Sequence, residues 1–103
     1  MLKITIHETE QLVSMKLEGR IAGPWVAEFD RTWRSLAPSL KSRSLVLDLR
    51  GVSHIGPDGR RVLSEIHDRT GAEFQTGSLL IEFYAQEAIN SRSRSTNEKG
   101  GTQ

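Results

Sequence analysis

Two carboxylates stand where chemistry is often built: Asp48 inside the apolar run LVLDL and Asp58 in the turn GPDG, with Arg60 and Arg61 directly after it. A strand that opens through glycines into a helix presents unpaired backbone N–H groups. Such a helix start attracts anions. A phosphoryl group or a small anionic ligand fits that physics. Paired carboxylates would instead serve acid–base chemistry, or accept a phosphoryl group with magnesium. The same residues also make a plain helix start. Pro57 suits the first helical position, and a carboxylate at Asp58 stabilises the first turn by about 0.3–1 kcal/mol.

Other chemistries find few residues. The chain has no cysteine, so thiolate catalysis, disulfides and Cys-based zinc sites are excluded. His7, His54 and His67 lack metal-ligand spacing and read as structural or surface histidines. GPDG has neither the length nor the lysine of a phosphate loop. No serine carries a local sign of activation. No cofactor is implied.

The elements that must position Asp48 and Asp58 follow from periodicity. Leu2, Ile4 and Ile6 alternate with polar residues, as do Val13, Met15 and Leu17. Two strands joined by the polar HETEQ turn predict an antiparallel hairpin. GRIAGPW breaks the alternation. Trp25, Val26, Phe29, Trp33 and Leu36 then recur at helical spacing, from Pro24 at the first helical position to a stop at Pro38. The run 45–49 predicts a strand covered on both faces, which Gly51 and Val52 leave for a loop over 53–61. Val62, Leu63 and Ile66 mark a second helix ending at Thr70-Gly71. AEFQ is a short fourth strand. Residues 78–89 form a third helix capped by Ser78, with Leu80, Phe83, Tyr84 and Glu87 on one face; a strand over Leu79–Phe83 is the alternative. The fold class is therefore α/β: one domain over 1–89, a mixed sheet in the order β-β-α-β-α-β-α, helices mainly on one face. Residues 90–103 contain no large apolar side chain and predict a disordered polar tail.

Net charge is +1, and residues 1–89 carry 11 basic and 12 acidic side chains. The domain therefore lacks a nucleic-acid footprint. No run is long enough to span a bilayer and no signal peptide is legible, so the expectation is a soluble, cytoplasmic protein.

With the elements in place, the words carry a family likeness. LEGRI closing the hairpin, LVLDLRGVSHI followed by a turn and helix, and GAEF before the last helix resemble the STAS domain over about residues 2–89. That family includes bacterial anti-sigma factor antagonists and the C-terminal domains of sulfate transporters. A response-regulator receiver shares the buried strand before an Asp, but it opens with a strand ending in paired acids; here a second strand follows directly. The STAS resemblance implies a switch at the start of the second helix, where antagonists carry a serine or threonine phosphorylated by a partner anti-sigma kinase. Carried across, that position falls on Asp58, flanked by Gly56, Pro57 and Gly59.

Three functions follow as expectations. The first is a non-enzymatic protein-interaction module, a regulator whose phosphorylatable residue is replaced by Asp58. Its surface is His54, Gly56, Pro57, Asp58, Gly59, Arg60, Arg61 and Ser64, and its partner an anti-sigma factor, a serine kinase or another regulator. The second is a small-ligand or nucleotide-binding STAS domain. The third is a phosphoacceptor or enzyme using Asp48 with Asp58, with Asp48 otherwise bonding backbone N–H groups of the loop. Oligomeric state is left open.

Overall fold

Alternation over Leu2–Glu8 (β1) and Leu12–Ile21 (β2) produces the expected hairpin, with Ile4 opposite Leu17 and Ile6 opposite Met15. Helix α1 (Trp25–Leu40), strand β3 (Ser44–Ile55), helix α2 (Pro57–Thr70), strand β4 (Glu73–Thr76) and helix α3 (Leu79–Gly101) complete the chain. The computed structural model describes the backbone of residues 1–101 and the side chains of residues 1–90. The expected tail over 90–103 thus lies, Asn90 apart, outside the residues described in full.

The sheet order is β1-β2-β3-β4, with β2, β3 and β4 mutually parallel. Both crossovers, β2-α1-β3 and β3-α2-β4, step the same way across the sheet. Right-handed crossovers in one direction deposit their helices on one face. Accordingly α2 packs between α1 and α3, and all three lie over the central strands. Between them sit Met15, Leu17, Phe29, Trp33, Leu47, Leu63, Ile66 and Ile81, each at most 2% exposed.

Several expectations are corrected. β3 does not end near Gly51 but runs to Ile55, because β2 continues beside it and pairs Arg20 with His54 and Ile21 with Ile55. Register shifts after Lys16 and Gly19 mark bulges, and the glycines serve them. Gly19 has φ +108°, and a Cβ on Gly51 would lie 2.9 Å from the Glu18 side chain. The 53–61 loop therefore shrinks to Gly56 between strand and helix. Pro24 is the N-cap of α1 rather than its first residue, and Pro38 lies inside the last turn. Its fixed φ is helical, and Arg43 donates to the Ser39 carbonyl in the last turn at 2.6 Å. Nor is β3 covered on both faces: no described helix packs on the side where Val46, Asp48 and Arg50 stand.

α2 ends as its sequence suggests. Gly71 adopts the left-handed conformation and its N–H bonds the His67 carbonyl. Ser78 Oγ accepts from the Ile81 N–H at 3.2 Å, so the third element is a helix rather than a strand. Its buried face differs from the expected one. Ile81, Ala85 and Ala88 are covered, whereas Leu79, Leu80 and Phe83 are exposed. Close approach of α2 selects the small residues, a choice that helical spacing alone does not make.

Candidate functional site

The junction of β3 and α2 is built from backbone constraints. Gly56 is extended (φ −76°, ψ 174°), donates to the Ile21 carbonyl at 2.9 Å and accepts from the Arg60 N–H at 2.9 Å. Pro57 follows in the first turn. A Cβ on Gly59 would lie 2.6 Å from the Ile21 carbonyl oxygen and 2.7 Å from its Cγ2. Only glycine lets α2 start this close to the end of β2. Gly56 and Gly59 are buried; Pro57, Asp58 and Arg61 are exposed; His54 and Arg60 are half-buried.

Asp58 projects from the first turn, its side chain 69% exposed, and meets Arg61 at 3.2 Å. Both partners are solvated, so the pair contributes little to stability. No side chain caps α2, so the carboxylate answers to the helix dipole and to solvent rather than to a fixed hydrogen bond. Beside it, a groove of about 370 Å³ runs between α1 and α2 over Gly23, Val26, Ala27 and Val62. Asp30, Arg34, Glu65, Asp58 and Arg61 line its walls. Arg34 joins the helices, bonding Asp30 at 3.1 Å and Glu65 at 2.8 Å. Those hydrogen bonds, the Asp30 bond foremost, raise the pKa of its guanidinium.

Arg60 turns the other way, toward α3. Its guanidinium lies 4.8 Å from the centre of the Tyr84 ring and 3.2 Å from Glu87. The Tyr84 ring stands edge-on to His54 at 6.3 Å. Sequence reasoning placed Tyr84 and Glu87 only on a helix face. Their i, i+3 spacing on α3 is legible, but the pairing with Arg60 arises from α2–α3 packing.

Two expectations fail here. Ser64 was expected on the exposed side of α2; it is 6% exposed, and its Oγ has no hydrogen-bond partner. It belongs to the packed side of the helix, not to a docking surface. Asp48 does not join Asp58, nor does it bond the loop. It stands on the open face of β3, in register with Lys16 and Gln75, while Asp58 is on the helix side. Asp48 accepts from the Arg50 backbone N–H at 3.1 Å and from its guanidinium at 2.9 and 3.0 Å. The Arg50 side-chain bonds, against the opposing effect of burial, hold its carboxyl below the ordinary 3.8. The acid–base pair therefore has no geometric basis. Among the described residues, no three His, Cys, Asp or Glu side chains gather to hold a metal ion.

Comparison with known proteins bears on architecture. No family model and no curated protein matches the chain. Among solved structures, a crystal structure of Mglu is similar at a TM-score of 0.57 and 22% identity, over 72% of this chain and 19% of that one. A structure of Mglu in its native form gives 0.50 and 23%, over 71% of this chain and 23% of that one. The chain thus spans about a fifth of the length of these proteins. At such identity the likeness is one of fold alone.

Proposed function

We propose that this chain is a STAS-type protein-interaction module without enzymatic activity. It would act in the cytoplasm as a regulator resembling an anti-sigma factor antagonist, with Asp58 where a phosphorylatable serine or threonine would stand. The observation that carries this reading is the placement of Asp58: exposed, in the first turn of the helix that follows the central strand β3, beside a groove between two helices. A carboxylate there supplies one fixed negative charge, where a phosphoserine would carry about −1.5 to −2. The interface comprises Pro57, Asp58 and Arg61 with the half-buried His54 and Arg60, on a backbone shaped by Gly56 and Gly59. Its partner is an anti-sigma factor, a serine kinase or another regulator.

The small-ligand reading has less support. The groove beside Asp58 carries three carboxylates against two guanidiniums, and Asp58 puts negative charge where an anion would seek the helix start. The two crossovers also step the same way, so the sheet lacks the topological switch point at which α/β folds bind nucleotides.

Capture of partners from the source cell, with wild-type protein and with Asp58→Lys and Asp58→Ser variants, tests the proposal. We expect one partner to be lost on Asp58→Lys. If that partner is a serine kinase, ATP should add a phosphoryl group to Asp58→Ser and none to the wild type. Equal recovery by all three proteins would remove Asp58 from the interface. Nucleotides should leave the melting temperature unchanged, since a bound ligand would raise it.

A further inference from the structure

At the other end of α2, that helix, β4 and α3 enclose a second groove, of about 380 Å³. Phe74, Ala85 and Ile89 line it together with polar groups, among them the carboxylates of Glu73 and Glu82. Neither carboxylate has an ion-pair partner among the described residues, whereas Glu65 on α2 and Glu87 on α3 are each paired with an arginine. On α3, Leu79, Glu82 and Phe83 stand at i, i+3 and i+4, and so share one side of the helix. Leu79 is 85% exposed and Phe83 60%. A groove lined by two carboxylates thus shares one side of α3 with large apolar side chains in water. Grouped exposure of this kind marks interaction surfaces.

We propose that this groove docks a basic amphipathic segment of a partner protein. A lysine or arginine enters between Glu73 and Glu82, its methylene stem lying along Phe74 and Ile89 while its charge meets the carboxylates. Apolar residues on the same side of the segment cover Leu79 and Phe83, as in helix-in-groove recognition. Charge selects this occupant. A second copy would set Glu82 against its own equivalent, and an anionic lipid surface would be repelled by both glutamates. The groove starts beside His67, nine residues and about 13 Å along α2 from Asp58, and the proposal stands independently of the Asp58 reading.

The test uses the full chain and two short helical peptides, one of Leu and Lys and one of Leu and Glu, followed by backbone amide NMR at physiological salt. The Leu/Lys peptide should shift resonances in 67–76 and 79–89 and leave the start of α2 unmoved. Glu73→Lys with Glu82→Lys should weaken binding about tenfold or more, and Phe83→Ser should weaken it further. Thr5→Ala, on the open face of the sheet, should leave peptide binding unchanged. Glu73→Gln with Glu82→Gln keeps shape while removing charge, and should weaken binding in the same direction; circular dichroism checks that each variant is folded. Equal binding of the Leu/Glu peptide, shifts mapping elsewhere, or indifference to both double variants would overturn the proposal. So would sedimentation showing a dimer of the chain that Phe83→Ser dissolves, because the face would then belong to a second copy.

Discussion

In the row Ile6, Met15, Leu47 and Phe74, four strands place apolar side chains under the helices, and Met15 and Leu47 are fully buried. One residue along, the row Thr5, Lys16, Asp48 and Gln75 crosses the same strands on the open face. Thr5, Lys16 and Gln75 are exposed there, yet Asp48 is 7% exposed with no helix above it. The first row is held by exclusion of water. In the second, the burial of one charge is offset by an arginine two positions away on the same strand face. A single sheet thus uses two means of stabilisation one residue apart, and only the apolar one depends on the helices.

Substitutions in the two rows sharpen that contrast. Leu47→Ala should cost about 2–5 kcal/mol, as buried leucine truncations do, read from urea unfolding; a cost under 1 kcal/mol would mean that the core is not packed as described. Arg50→Ala should lower stability at neutral pH by less than Leu47→Ala does, because it leaves a buried carboxylate with much of its hydrogen bonding removed. The pH dependence fixes the sign. The folded pKa of Asp48 is depressed, so its pairing stabilises above the ordinary carboxylate value and that stabilisation is lost as pH falls through the folded value. The gap between wild type and Arg50→Ala should therefore narrow in acid, and a gap independent of pH would break the assignment. Thr5→Ala, exposed on the open row, should stay within about 0.5 kcal/mol. A larger loss would show that something covers that face.

Ser64 gives a separate check on the helix side. Its buried hydroxyl lacks a partner, so Ser64→Ala should leave stability unchanged or raise it by about 1 kcal/mol in thermal melts. A marked loss would reveal a hydrogen bond at Oγ.

The order of elements was legible in the chain because period-two and helical patterns are local. So were the stop at Gly71 and the cap at Ser78, which need only nearby backbone groups. Strand ends were misjudged where glycines serve bulges. Gly51 reads alike as a strand exit or as a bulge until β2 is seen running beside it to Ile21. The candidate site was half legible. Gly56-Pro57-Asp58 announces a helix start, but the burial of Ser64 and the turn of Arg60 toward Tyr84 and Glu87 depend on where α3 packs.

By itself, then, the sequence determined the succession of strands and helices, the placement of Asp58 in a first helical turn, and the absence of thiol chemistry. Tertiary structure decided which of two apolar faces of α3 is covered: the Ile81–Ala85–Ala88 side fits closely against α2, leaving Leu79 and Phe83 in water. It also separated Asp48 from Asp58, because crossovers stepping one way put every helix on one face and left Asp48 on the other. Local pattern fixes what each segment becomes; close packing and crossover handedness, which join residues distant in the chain, fix what each side chain meets.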